Sequence, residues 1–220
     1  MKVLWENWTQ TKNSYAQHEE DRLIELLLPR GVNSFIDIGA NDGVLFSNSF
    51  KFAKKGANGL CIEPSRNSFR KLRLNHLFHP KVKCIQSAVS NTNSHIFLNE
   101  DGYESTLSYV SKSKKNNSYS VRCQTFDKIL EKYPEFLEVD LLTVDVEGHE
   151  REVLDALTND KFKAKVIILE SDKTQIEELL KSNSLKIYRP EFINGVNTVL
   201  INKYTKINEI ETLPIGFKTC

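Results

Sequence analysis

Carboxylates, glycines and one histidine are what this sequence offers for chemistry, and they fall into two groups. The first lies in SFIDIGANDGVLFSNS, residues 34–49. Asp37 interrupts a short apolar run of Phe35, Ile36 and Ile38, and Gly39-Ala40-Asn41-Asp42-Gly43 follows. Glycines four apart beyond a strand let the backbone turn tightly and come close to a ligand, since no Cβ stands in the way. A carboxylate there, Asp37 or Asp42, repels a diphosphate but pairs with an ammonium or accepts from hydroxyls. Glu63 stands 20 residues beyond Gly43, after the apolar run Leu60-Cys61-Ile62. At a strand end it can accept from both hydroxyls of an adenosine ribose, in a dinucleotide or in another nucleoside. The dinucleotide fingerprint G-x-G-x-x-G is absent, and no Gly-Lys-Ser/Thr follows for a Walker loop. The pattern points to a nucleoside ligand without phosphates.

The second group is Asp145, Glu147, His149 and Glu150, with Glu170 and Asp172 beyond the next apolar run. Parallel strands lie about 4.8 Å apart, so carboxylates at neighbouring tips converge. Asp145 and Glu147 share one strand parity. Such carboxylates repel unless protonated, solvated or joined by a cation. One reading is a divalent ion, magnesium or manganese, on Asp145, Glu147 and Glu170, holding a diol and lowering the pKa of its hydroxyl. The other has no metal: Asp145 meets a ligand ammonium and Glu147 holds substrate or scaffold. For removing a proton from an acceptor, His149 has the suitable ordinary pKa, and Glu147 is the rival. A solvated histidine at a helix start is the plain alternative.

Elements that could position these groups alternate along the chain. The spacing predicts a helix over 15–28, with Glu19-Glu20-Asp21 suiting its dipole and Pro29 and Gly31 ending it. Then come a strand at 34–38, a helix at 44–55 turning Leu45, Phe46, Phe50 and Phe52 to a sheet, a strand at 60–62, a helix at 65–77 and a strand at 82–85. Residues 89–125 break the rhythm as an antiparallel excursion toward the substrate side, with strands near 94–99 and 119–123. A helix at 126–133, a strand at 141–144, a helix to about 157 and a strand at 166–169 resume it. Thr174 is placed to cap a helix over 175–181. Strands at 185–188 and 198–201 join through Asn194-Gly195, a hairpin-favouring pair. This βαβα series predicts a mainly parallel sheet covered by helices.

Length and composition set bounds. The 220 residues suit one well-filled domain. Lys plus Arg number 30 and Asp plus Glu 29, so the balance gives no strong nucleic-acid signal. Cys61, Cys84, Cys123 and Cys220 form no C-x-x-C pair and read as free thiols in a reducing compartment. No signal-like core opens the chain and no run reaches the roughly 18 apolar residues of a transmembrane segment, so a cytoplasmic location is expected. Trp5 and Trp8 read as packing residues or as a cover over a ligand. Lys112, Lys114 and Lys115 read as a solvated loop or as contacts to an anionic substrate.

Three blocks in order, Asp37 to Gly43, Cys61-Ile62-Glu63-Pro64, and Leu141 to Glu150, resemble the signatures of the FkbM family of S-adenosylmethionine-dependent methyltransferases. The resemblance runs from about residue 15 to 203 and includes Ser105-Thr106-Leu107 and Thr125-Phe126-Asp127. It implies a class I methyltransferase (Rossmann-like) α/β fold, with a mainly parallel seven-stranded sheet and an antiparallel C-terminal strand. A single domain over 1–220 is expected, with an N-terminal lid and helix at 1–33, a core at 34–203 and an insertion at 94–125 near the acceptor site. The implied contacts to S-adenosyl-L-methionine are Gln17, Asp37, Gly39, Ala40, Asn41, Gly43 and Ser47, then Glu63, Pro64, Ser87, Ala88 and Asp145. Gln17 belongs to a segment that also reads as a plain helix start. Asp145, Glu147 and His149 are the implied catalytic residues. The implied reaction is O-methylation of a hydroxyl on a sugar, glycan or small metabolite, with residues 98–120, 15–20 and 189–197 shaping the acceptor site and a homodimer serving a larger acceptor. The competing readings are a fold retained without turnover and a metal-dependent phosphoesterase.

Overall fold

Two-residue periodicity organises the molecule, and a computed structural model describes it over residues 14–99, 109–111, 118–146, 150–155, 161–170, 176, 180 and 185–220. The strands are β1 (Ser34–Ile38), β2 (Asn58–Ile62), β3 (Val82–Ile85), β4 (Ala88–Val89), β5 (Ser94–Asn99) and β6 (Tyr109–Ser111). They continue as β7 (Ser118–Gln124), β8 (Glu138–Val144), β9 (Lys163–Glu170), β10 (Tyr188–Ile193), β11 (Asn197–Asn202) and β12 (Lys218–Thr219). The helices are α1 (Glu20–Leu27), α2 (Phe50–Lys54), α3 (Arg66–Asn75), α4 (Phe126–Lys132) and α5 (Glu150–Asp155).

The large sheet has eight strands in the order β12-β10-β11-β9-β8-β1-β2-β3. From β9 to β3 the neighbours are parallel, and β11 runs antiparallel between β9 and β10. Seven strands were expected; the eighth is β12, two residues paired with Phe192 and Ile193 at the sheet's edge. Alternate residues face opposite ways. Ile36, Ile38, Leu60 and Leu142 pack with Phe126 and Ile129 on one side. Phe35, Cys61, Leu141 and Ile168 pack with Leu23 and Phe52 on the other. The excursion at 89–125 is a second sheet of four strands, in the order β4-β7-β5-β6.

Three local expectations are corrected. The helix predicted over 44–55 is only Phe50–Lys54. Ser47 Oγ accepts from the backbone N–H groups of Ser49 (3.2 Å) and Phe50 (3.0 Å), which starts a helix there, and Phe46 takes a left-handed φ of 58°. Phe46 is consequently exposed instead of packed on the sheet. The strand expected at 185–188 begins at Tyr188 and continues through Pro190, beside an irregularity between Pro190 and Phe192. Proline is tolerated because β12 pairs only beyond it. The acids opening α1 do more than face a dipole: Glu20 and Asp21 are fully buried. Asp21 accepts from Tyr15 N–H at 2.8 Å, and Glu20 from the side chains of Asn194 (2.8 Å) and Asn197 (2.7 Å).

The cysteines are free among the described residues, and Cys61 stands opposite Cys84 in the β2–β3 register. Burial pushes the Cys61 thiol well above its ordinary value and Cys84 up to about 11. No helix among the described residues is long and apolar enough to cross a membrane. Trp5, Trp8, Ser105-Thr106-Leu107, Lys112, Lys114, Lys115, Glu147, His149, Asp172 and Thr174 lie outside the described residues.

Candidate active site

Three strand tips are laced together by backbone hydrogen bonds. Gly39 and Ala40 donate to Ile62 O at 2.9 and 3.1 Å, and Asp145 N–H donates to Ile38 O at 3.0 Å. Gly39 has φ 86°, and a Cβ there would stand 1.7 Å from the carbonyl oxygen of Asp145. Glycine is demanded by the neighbouring strand tip, before any ligand is considered. Gly43 corrects the sequence reading. At φ 78° its missing Cβ would meet Leu72 Cδ1 at 2.5 Å and His76 Nε2 at 2.8 Å, so it serves packing against α3 and does not line the cleft. Asp42 is also absent from the lining: its Oδ1 accepts from Val44 N–H (2.9 Å) and Leu45 N–H (2.8 Å), a local turn.

Over these tips opens a cavity of about 710 Å³. Gln17, Asp37, Gly39, Ala40, Asn41 and Ser47 border it, as do Glu63, Pro64, Ser87, Ala88 and Asp145, with Glu170 at the tip of β9. Except for Gly43, the structure brings the residues nominated for the cofactor into one space.

Glu63 is buried and held by the backbone: Oε2 accepts from Asn41 N–H at 2.8 Å and Oε1 from Ser65 N–H at 2.7 Å. A carboxylate has about four acceptor sites, so these two bonds do not exhaust it. Asp37 is buried and accepts from Ser49 Oγ at 2.6 Å. Burial pushes its pKa up to about 6, with the Ser49 bond pulling the other way. Asn48 crosses to Thr143, donating to Oγ1 at 3.1 Å.

The lining carries five carboxylates, Asp37, Glu63, Asp145, Glu152 and Glu170, and among the described lining residues there is no Lys or Arg. Such a field opposes a phosphate and favours a ligand with cationic groups and a hydroxyl pair. A sulfonium nucleoside that carries an amino-acid ammonium fits this donor set. Among the described residues no group of three or more His, Cys, Asp or Glu is arranged to hold a metal ion.

The lining holds more than the residues nominated one by one. His95, Ile96 and Leu98 of β5, in the insertion expected near the acceptor site, face the cavity, as do Glu152 from α5 and Leu45 and Phe46 before α2. Leu45 and Phe46 had been assigned to the sheet on helical spacing; no sequence signal singled out His95 or Glu152. The N-terminal segment reaches the cavity through a bridge between Ala16 and Phe46 and an edge-on contact of Tyr15 with Phe50, centroids 4.9 Å apart. Glu20 ties this segment to Asn194 and Asn197, and Asn197 stands opposite Glu170 in the β9–β11 register.

Comparison with known proteins gives fold neighbours and a family. A candidate caffeoyl-CoA O-methyltransferase from Staphylococcus aureus shares the fold at a TM-score of 0.53 and 11% identity, over 91% of each chain. A precorrin-6y C5,15-methyltransferase from Geobacter metallireducens gives 0.47 at 13% identity, over 83% of this chain and 84% of the other. TrmK from M. capricolum, solved with S-adenosylhomocysteine, gives 0.49 at 14% identity, over 90% and 73%. No curated protein matches the chain in sequence. The family model for the methyltransferase FkbM domain matches residues 37–193, from the carboxylate of the first strand tip to the end of β10. The chain belongs to the FkbM methyltransferases and is an S-adenosylmethionine-dependent enzyme of class I fold.

Proposed function

We propose that the enzyme methylates a hydroxyl oxygen of a sugar, glycan or small metabolite. The observation that carries this reading is the cavity lined by carboxylates, without Lys or Arg among its described residues, in which the backbone presents Glu63 to a diol. Bound S-adenosylmethionine supplies an electrophilic methyl on a good leaving group, so the protein has only to align the acceptor and take its proton. Glu63 holds the ribose hydroxyls. Asp37 and Asp145 face the amino-acid portion, where the ammonium offsets the cost of burying Asp37. Ser87 and Ala88 lie along the adenine side, and Gln17 and Ser47 close the mouth.

The acceptor enters between the small sheet and the segment tied by Glu20. In this division residues 1–33 form the lid, 34–203 the core, and 94–125 an acceptor-side wall within one domain. Glu152 and Glu170 accept from acceptor hydroxyls, and Glu147 or His149 takes the proton. The alternative with a divalent cation on Asp145, Glu147 and Glu170 is separated from a metal-free transfer by the EDTA treatment below. The phosphoesterase alternative would require metal cations on these carboxylates to receive a phosphate.

Two measurements test the reading. Calorimetry should show S-adenosylhomocysteine binding with no binding of NAD or ATP; an empty cleft with the first ligand would overturn the cofactor assignment. Incubation of the EDTA-treated enzyme with methyl-labelled cofactor and a panel of sugars, glycans and hydroxylated metabolites should give a labelled methyl ether. Label found on nitrogen or carbon would overturn the acceptor class, and transfer only after magnesium is restored would assign a divalent cation to the site.

A further inference from the structure

A second surface of different chemistry begins where Glu63 ends. From Pro64 to Asn99 the sequence contains no Asp or Glu, while Arg66, Arg70, Lys71, Arg73, Lys81 and Lys83 lie on α3 and around β3. All six are exposed. Arg66 lies over the Tyr119 ring, 4.7 Å from its centroid, and Lys83 pairs with Glu135. Among the described residues, Arg70, Lys71, Arg73 and Lys81 enter no ion pair.

The turn after α3 adds apolar weight to this charge. Leu74, Leu77 and Phe78 are 69%, 67% and 87% exposed within five residues. Single exposed apolar residues are ordinary on a protein surface, but a cluster beside unpaired cations needs an explanation. β3 ends the large sheet on this side, so among the described residues no further strand covers the face. Cations that attract an anionic surface, together with aliphatic and aromatic side chains free to enter the headgroup boundary, are the two parts of an interfacial membrane contact. A nucleic-acid backbone would use the cations but gain little from Leu74 and Leu77.

We propose that the α3–β3 face docks the enzyme on an anionic bilayer surface, with Arg70, Lys71, Arg73 and Lys81 among the headgroups and Leu74, Leu77 and Phe78 at the acyl boundary. This surface is joined to the cleft without being part of it. Asn75 donates from Nδ2 to Asp42 O at 2.8 Å, and α3 leads back to Glu63 over about 15 Å at the usual helical rise. Docking would therefore hold the catalytic cleft close to acceptors carried at the membrane.

The test is sedimentation of the full chain with phosphatidylcholine vesicles, with and without phosphatidylglycerol. Binding is expected only to the anionic vesicles and should weaken as salt is raised. The pair Arg70→Glu and Lys71→Glu should lower partitioning at least about tenfold. The pair Leu77→Ser and Phe78→Ser should lower it by a similar factor while leaving the salt dependence in place. Reversing Lys206 and Lys218, toward the opposite edge of the sheet, should leave it unchanged. Every variant should keep the thermal shift given by S-adenosylhomocysteine, which separates lost docking from lost folding. Failure to bind anionic vesicles at low salt, equal loss with the Lys206 and Lys218 reversals, or displacement from vesicles by duplex DNA would overturn the proposal.

Discussion

The cleft over the strand tips and the face made by α3 and β3 carry opposite charge, in a chain whose 30 basic and 29 acidic residues nearly cancel. In the cleft, Asp37 and Glu63 are buried and held by hydroxyl and backbone donors, while Glu152 and Glu170 are half-buried and Asp145 is exposed. On the α3 face, cations are exposed and several enter no ion pair. The first arrangement is costly until a cationic ligand arrives, because burial penalises an unpaired charge. The second costs little in water and becomes useful only near an anionic surface. A net charge of +1 is thus an average over two specialised regions, and an argument from charge balance constrains neither of them.

The strongest way to break the acidic side of this contrast is at the seam that builds it. Gly39→Ala places a Cβ against the Asp145 carbonyl, which requires the β1 and β8 tips to separate. A loss of about 4 kcal/mol or more is expected in denaturant unfolding, whereas Gly56→Ala, with open space around it, should lose about 1 kcal/mol. A Gly39→Ala protein as stable as the parent would show that the seam is not rigid.

Next in size is Glu63→Ala, which removes the proposed ribose acceptor and leaves two backbone donors unpaired. S-adenosylhomocysteine affinity should fall about 100-fold by calorimetry, with Glu63→Gln falling less because it retains an oxygen acceptor. Vesicle binding by the Glu63→Ala protein should not change, and a joint loss would mean that the two regions are not separable.

The cleft was legible in the sequence because its signals are local: an acid two residues before a glycine, a second acid closing the next strand, and a third group at a later strand tip. What stayed hidden depended on contacts between distant residues. Gly39 and Gly43 looked alike, but one is required by Asp145 and the other by Leu72 and His76. The run from Leu45 to Phe52 has helical spacing, yet the Asp42 carboxylate and the Ser47 hydroxyl take the amide groups that would have continued a helix. The antiparallel excursion was expected, but that His95 borders the cavity follows from the register in which β5 pairs with β6 and β7, which periodicity does not specify. The basic face was not singled out from the sequence, and its meaning required knowing that Leu74, Leu77 and Phe78 are exposed.

Asp37→Asn sharpens the comparison with a smaller effect and an opposite sign. The native carboxyl titrates at about 6 against an ordinary 3.8, so the folded state retains its proton longer than the unfolded chain. As pH rises between those values the folded state loses stability, by about 2 to 3 kcal/mol once above 6. Asparagine still accepts from Ser49 but carries no charge. The ligand-free variant should melt higher than the parent above pH 6 and alike below pH 4, while gaining less from S-adenosylhomocysteine. A variant that is less stable at pH 8 would show that Asp37 already has a compensating partner in the free protein.

The smallest effect lies beneath the basic face. His76 is buried, neither ring nitrogen has a hydrogen-bond partner among the described residues, and its ring meets Phe50 and His79 edge-on at centroid distances of 5.6 and 5.3 Å. Burial, and then the neighbouring His79, lower its pKa from 6.5 to about 4. The unfolded chain therefore binds this proton first as the medium is acidified. The stability linked to neutral His76 is complete above about pH 6.5 and is lost as pH falls toward 4, amounting to about 2 kcal/mol by pH 5. His76→Phe keeps an aromatic edge for Phe50 and removes the titration, so its melting temperature should depend less on pH between 6.5 and 4 than the parent's. Over the same interval Asp37 gains a proton in the folded state, which makes the cleft less negative just as acid works against the histidine under α3. The Asp37→Asn and His76→Phe changes should alter the pH profile of unfolding with opposite slopes, and additively in the double variant, since these are separate sites without a shared hydrogen bond. Non-additive slopes would show that protonation at one region is felt at the other.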